Sequence, residues 1–353
     1  MDIAKIDKNF AAQNVAVNGE IATYTIPSAP FRLYGVFYSE EEGRFFRMDA
    51  ATARAVSEGC DFLNENTAGG RLKFSTDSDY FEIGVTYNAL SRMSHMPLSG
   101  SGGFVLIDET GGKSELVCTF RPDYGDEKGF RSSAALKGGM RSYVLYFPLY
   151  NDVTSLKIGL NASARVEEGL PYKNLPPVLY YGSSITQGGC ASRADNAYSA
   201  LVCKWNNVDF INLGFSGSAK GEEIMREYLA GIPCSAFVCD YDHNAPNAEH
   251  LAQTHYAVYK TFRDKNPNVP VVLMSKPDFD RDLEGERRLK IVYSTYLRAK
   301  REGDKNIYFL SGKKLYPRRD RENCAVDGCH PNDFGFYCMA KAVARVLNKI
   351  LEK

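Results

Sequence analysis

The sequence predicts two domains. An all-β sandwich of jelly-roll type spans residues 1–168, and an α/β three-layer, flavodoxin-like domain with a five-stranded parallel sheet spans residues 169–353. Three observations support this. The length, 353 residues, suits two ordinary domains. Up to about Ser163 short runs alternate with a period of two. After the linker Glu167 to Pro177 strand-like runs alternate with helical ones.

In the first half, Phe81, Ile83, Val85 and Tyr87 alternate with Glu82, Gly84 and Thr86, the pattern of a strand with one buried and one wetter face. Similar runs are Ile21 to Ile26, Phe31 to Tyr38, Arg71 to Phe74, Phe104 to Ile107, Leu116 to Phe120, Ser142 to Phe147 and Leu156 to Leu160. Clusters of Gly, Asp, Asn and Ser separate them, as expected of a sandwich. One helical interruption is expected around Ala50 to Leu63.

In the second half, Val178 to Tyr181 precedes a helix near Ala197 to Trp205, and Val208 to Leu213 precedes one near Gly221 to Leu229. Ala236 to Tyr241 leads to Ala248 to Phe262, and Val269 to Met274 to Glu284 to Lys300, where Leu289, Val292, Tyr293 and Tyr296 form an apolar stripe. Ile307 to Leu310 leads to a last helix, Asp333 to Leu351, with Phe336, Ala340, Val343, Leu347 and Ile350 on one face. Five such units predict a parallel sheet covered on both sides by helices. Trp205 and the tyrosines of the first half are expected mostly in the core.

Lys and Arg number 43, as do Asp and Glu, so no broad electrostatic attraction to nucleic acid or to a membrane is implied. No run is long and apolar enough to span a bilayer. Met1 to Lys5 lacks the apolar core of a secretory signal, which makes the cytoplasm the expected location. The nine cysteines contain no C-x-x-C pair, and Cys324 with Cys329-His330 matches no standard metal spacing, so no metal site is expected and the thiols are expected reduced. His250 and His255 are five apart on a predicted helix, which disfavours joint metal ligation.

The chemistry gathers where an open α/β sheet places it, beyond the carboxyl ends of the strands. Gly182-Ser183-Ser184-Ile185-Thr186 follows the first strand of the second half. Gly214-Phe215-Ser216-Gly217 follows the next, Asp242-His243-Asn244 the third, and Asp327-Gly328-Cys329-His330 precedes the last helix. A serine on a strand-end turn, with a downstream Asp-x-x-His, suggests a nucleophile, a base and an orienting carboxylate. Taken alone, Ser184 reads as a turn residue or helix cap, while for Asp327 with His330 the alternative is bracing a loop, or capping the last helix with Asn332. His243 reads as a hydrogen-bonded strand-end group.

Those four blocks, in that order, resemble the SGNH hydrolases, the GDSL-like esterase/lipase superfamily. The resemblance covers the second half of the chain. It aligns Ser184 with the nucleophile, His330 with the base and Asp327 with its partner. It aligns the backbone N–H groups of Ser184 and Gly217 and the Asn244 amide with the oxyanion donors. Two positions depart from the pattern: Ser183 stands where the family has a structural Asp, and of the usual Gly-x-Asn-Asp block only Asn244 remains.

The domain order is similar to a subgroup with a jelly-roll-like domain before the hydrolase domain, which includes carbohydrate acetyl esterases. The resemblance implies a serine esterase acting on small acyl esters, with O-acetylated carbohydrate the favoured substrate class. It implies no metal and no organic cofactor. Two alternatives stay open: an acyltransferase using the same site, and a catalytically silent protein whose sandwich binds glycan. The sequence carries no sign of oligomeric state.

Overall fold

The computed structural model describes residues 3–7, 10, 14–277 and 283–352. Met1 and Asp2, part of the N-terminal segment read above, lie outside the described residues. The chain divides into two units. One comprises Met1–Phe46, Glu65–Pro171 and Ser192–Ala194, the other Arg47–Asn64, Tyr172–Ala191 and Asp195–Lys353.

Among the described residues, the first unit holds two larger antiparallel sheets and a two-stranded ribbon, Phe37–Ser39 with Arg44–Phe46. One has the order Ile21–Ile26, Ser155–Asn161, Tyr80–Thr86, Gly129–Ala135. The other has the order Val166–Glu168, Arg71–Thr76, Arg141–Tyr146, Phe104–Asp108, Glu115–Phe120, with Arg32–Tyr34 also paired to Arg71–Thr76. The period-two reading holds: Phe81, Ile83 and Val85 are buried, while Glu82, Gly84 and Thr86 are not. Phe81 stacks on Phe74 and Phe120 across the core, at ring separations of 5.9 and 5.4 Å.

The run Phe31 to Tyr38 is two short strands, Arg32–Tyr34 and Phe37–Ser39. The strand Gly129–Ala135 matches none of the predicted runs, because its inward positions include serine rather than β-branched residues. Ser133 is buried there and satisfied by Val15, accepting its N–H at 2.8 Å and donating to its carbonyl at 3.1 Å.

In the second unit, the five strands β1 (Val178–Gly182), β2 (Phe210–Gly214), β3 (Ala236–Asp240), β4 (Val271–Met274) and β5 (Ile307–Leu310) are parallel, in the order β2-β1-β3-β4-β5. This is the doubly wound order whose switch point lies beside the first strand. The helices that follow β1 in sequence are α1 (Ser184–Gln187), α2 (Tyr198–Asn206), α3 (Glu223–Gly231), α4 (Ala248–Lys265), α5 (Leu283–Arg301) and α6 (Asp333–Leu351). All five predicted core residues of α6 are buried.

Two core expectations shift. Trp205 is 43% exposed and packs edge-on against Tyr337, because the C-terminal end of α2 reaches the surface. On α5, Val292 is buried but Tyr293 lies at the rim, where it stacks on Tyr296 at 5.8 Å.

The segment Arg47–Asn64 belongs to the second unit although it interrupts the sandwich sequence. It forms two helices, Ala50–Val56 and Glu58–Asn64, within the predicted helical stretch. Met48, Ala53, Cys60 and Leu63 join one core with Leu213, Phe215, Met225 and Leu229. Arg47 makes the tie. Its guanidinium donates to the carbonyls of Asn212 at 3.2 Å, of Gly214 at 2.6 Å and of Leu63, and lies 4.5 Å from the centre of the Phe215 ring. Buried carbonyls at a strand end need donors, and this Arg supplies them.

Candidate active site

Register aligns the carboxyl ends of three neighbouring strands. Gly182 pairs with Gly214 on one side and with Asp240 on the other. Ser184, Gly217 and Asn244 therefore sit in loops that leave the sheet at one level. Gly182 permits this closeness, since a Cβ there would lie 1.8 Å from Asp240 Oδ1 and 2.1 Å from Thr186 Oγ1.

Ser184 opens α1. Ser183, which stands where the resemblance places a structural Asp, caps it by accepting the Ile185 N–H at 3.2 Å. A carboxylate is supplied instead by the neighbouring strand. Asp240 accepts the Thr186 hydroxyl and the Tyr198 hydroxyl, the latter at 2.9 Å. Burial pushes Asp240 up to about 7, against the opposing pull of those two hydroxyls. Its structural role was invisible in the sequence because Asp240 lies 54 residues from the turn it braces.

The loop before α6 carries Asp327 and His330. Asp327 Oδ1 accepts the N–H groups of His330 at 2.7 Å and Cys329 at 3.0 Å, and its Oδ2 meets His330 Nδ1 at 2.7 Å. The three-residue spacing thus lets one carboxylate close the turn and orient the ring. Val326 N–H donates to the His330 carbonyl at 2.9 Å, and Asn332 caps α6 through the Gly335 N–H at 3.0 Å. His330 Nε2 lies 2.9 Å from Ser184 Oγ. The structure therefore joins Ser184, His330 and Asp327 in one hydrogen-bonded line.

Gly217 and Asn244 come together as a second pair. The Gly217 N–H donates to Asn244 Oδ1 at 3.2 Å, and Asn244 Nδ2 donates to the Phe215 carbonyl at 2.6 Å. Gly217 has a φ of +65°, the left-handed conformation that glycine adopts without strain. The Asn244 loop is braced from α5, where the buried Arg288 donates to the carbonyls of Asp242 at 2.6 Å and Ala245 at 2.8 Å. The Asp242 carboxylate is turned away, accepting the Lys276 N–H at 3.1 Å from both oxygens.

His243 has a partner that no sequence spacing announced. Its Nε2 lies 2.9 Å from Cys329 Sγ, across 86 residues. Burial opposes ionisation of Cys329, but the bonds to His243 and His330 bring it down to about 6. The Cys329 bond is the largest influence on His330; with help from Asp327 and against burial it holds the imidazole up to about 9. Asp327 is held down to about 2, where its bonds to His330 and Cys329 overcome burial.

A base must be neutral to accept a proton. With His330 in the base role proposed below, kcat/KM for ester hydrolysis is expected to climb with pH through about 9, as the Cys329–His330 pair loses its proton. Cys329→Ser removes the largest raising influence, so the limb is expected to move to lower pH. A pH–rate profile checks this, and an unmoved limb would separate Cys329 from the titration of the base.

His250 and His255 serve apart. His250 Nε2 meets the Lys220 carbonyl at 2.8 Å, and the buried His255 bonds Thr295 at 2.9 Å and stacks on Tyr241. Among the described residues, no helix is long and apolar enough to cross a membrane.

The sequence profile of the GDSL-like lipase/acylhydrolase family matches residues 176–348, and the profile for the N-terminus of SGNH-hydrolase-type esterases matches residues 22–166. Residues 176–348 form a domain of the GDSL-like lipase/acylhydrolase family. With that domain, the protein is an SGNH-type carboxylic ester hydrolase. The crystal structure of a protein from Bacteroides ovatus ATCC 8483 assigned to the GDSL-like lipases is similar at 26% identity and a TM-score of 0.84, covering 94% of this chain and 98% of that one.

Two further structures share the fold of this GDSL-like chain. The salicylyl-acyltransferase SsfX3 from a tetracycline biosynthetic pathway matches at 18% identity and a TM-score of 0.76, over 94% of this chain and 97% of that one. The acetyl xylan esterase Est2A from the rumen bacterium Butyrivibrio proteoclasticus matches at 15% identity and a TM-score of 0.58, over 94% and 99%. No curated protein matches.

Proposed function

We propose that the protein is a serine esterase that removes small acyl groups, O-acetyl groups on carbohydrate in particular, through an acyl-enzyme on Ser184. The observation that carries this reading is the line Ser184 Oγ, His330 Nε2, His330 Nδ1, Asp327 Oδ2, with its two contacts at 2.9 and 2.7 Å. His330 takes the Ser184 proton as Oγ attacks the ester carbonyl, then returns it to the departing alcohol. Asp327 holds the Nδ1 proton and stabilises the imidazolium. Water, activated by the same His330, hydrolyses the acyl-enzyme.

The tetrahedral oxyanion is held by the N–H groups of Ser184 and Gly217 and by the Asn244 amide. Asn244 Nδ2 carries two hydrogens, of which Phe215 accepts one, leaving the second for the oxyanion. The Gly217 N–H is engaged by Asn244 Oδ1 at 3.2 Å, a long bond that an anion displaces when it forms. Asn244→Ala is expected to keep the fold and lower kcat by about 10²–10³. An unchanged rate would take Asn244 out of the oxyanion hole.

The preference for acetylated carbohydrate is supported by the fold shared with an acetyl xylan esterase. A panel of O-acetylated oligosaccharides, set against p-nitrophenyl esters of increasing chain length, tests it. Release of acetate from the sugars at a kcat/KM above that for p-nitrophenyl acetate is expected. Turnover of aryl esters alone would overturn the carbohydrate assignment. The fold shared with SsfX3 favours one second reading, acyl transfer to an added alcohol or amine. Faster loss of ester in the presence of such an acceptor, with an acylated product, would establish it.

A further inference from the structure

We propose that Cys329, His243 and His330 form an inhibitory binding site for a thiophilic divalent cation such as Zn²⁺. The residues come from two loops, the turn that follows β3 and the loop before α6. Cys329 Sγ lies 2.9 Å from His243 Nε2. The same sulfur, a ring nitrogen of His330 and a carboxylate oxygen of Asp327 all lie within 4.8 Å of one another. One thiol, two imidazoles and a carboxylate are the donor types that Zn²⁺ prefers.

Bond lengths of about 2.3 Å to sulfur and about 2.0 Å to nitrogen place the donors of a tetrahedral Zn²⁺ about 3.3–3.6 Å apart. Cys329 and His243 lie closer than this, at 2.9 Å, so binding a cation draws those two apart and turns the His243 and His330 rings toward a shared ion. Cys329 and His243 are half-buried, within reach of a cation from solvent.

The balance is simple. Cys329 releases a proton to solvent and gives a sulfur lone pair to the metal, and each imidazole gives a nitrogen lone pair. Nothing is oxidised or reduced. The consequence falls on His330, whose two nitrogens face Ser184 and Asp327. A nitrogen committed to the metal can no longer pass a proton between them. The effect on rate rests on the catalytic reading given above; the binding does not.

Co²⁺ serves as the optical probe and Zn²⁺ as the inhibitor. With one equivalent of Co²⁺ the wild type is expected to show a thiolate-to-cobalt charge-transfer band and tetrahedral d–d bands. One equivalent of Zn²⁺ is expected to slow p-nitrophenyl acetate hydrolysis at least tenfold, with recovery on adding EDTA. Cys329→Ser and His243→Gln, each measured against its own metal-free rate, are expected to lose the charge-transfer band and to need at least tenfold more Zn²⁺ for the same inhibition. Ser184→Ala is expected to keep the cobalt spectrum.

Absence of the band in the wild type, or equal Zn²⁺ sensitivity in both variants, would overturn the site. A band that follows Cys329, together with hydrolysis indifferent to Ser184, would leave the metal site standing and remove the catalytic reading instead.

Discussion

Ser184→Ala is expected to lower kcat for p-nitrophenyl acetate by about 10⁴-fold or more, because the reaction then loses its covalent route and keeps only the oxyanion donors. The substitution removes one oxygen atom and leaves the α1 cap, which belongs to Ser183, untouched. Far-ultraviolet circular dichroism should therefore be unchanged, so a lost rate reads on chemistry. KM is expected to shift little, since Oγ contributes to the transition state rather than to ground-state binding. Equal rates in wild type and variant would eliminate Ser184 as nucleophile.

Asp327→Asn is expected to lower kcat by about 10⁴, nearly as far and for a different reason. The carboxylate accepts three hydrogen bonds, two from backbone N–H groups through Oδ1 and one from His330 through Oδ2. An amide oxygen can keep the backbone pair, so the turn survives. The amide nitrogen then faces Nδ1 as a donor, which drives the ring proton to Nε2, where a lone pair is needed for Ser184. Activity within a few-fold of wild type would show that Asp327 shapes the loop and does not set the tautomer.

What the sequence disclosed followed the strength of its local signals. β1 and the turn carrying Ser184 were legible because a continuous apolar run met a small-residue turn. α6 was legible from its five-residue apolar stripe, and Asp327 with His330 from a spacing that a single turn can close. The strand Gly129–Ala135 stayed hidden because buried serines mimic a loop, and one of them, Ser133, is satisfied by Val15, over a hundred residues away. The pairing of His243 with Cys329, the bracing by Asp240 and the reach of Arg288 under the Asn244 loop share one cause. Each depends on side chains that only the folded sheet brings together, so no window along the chain contains both partners. Trp205 misled because a large apolar residue on an amphipathic helix reads as core, whereas its place at the helix end leaves it at the surface.

Arg47 has a consequence for how this catalytic half can be inherited. Its guanidinium and the two helices that follow complete the sheet's second strand and its core, yet they are encoded ahead of most of the sandwich. A gene fragment beginning at codon 169 would omit a side of its own hydrophobic interior and leave two strand-end carbonyls without their donor. The hydrolase half is not a transferable cassette. Any fragment that preserves it must also carry Arg47–Asn64, which the path of the chain places inside the sandwich sequence.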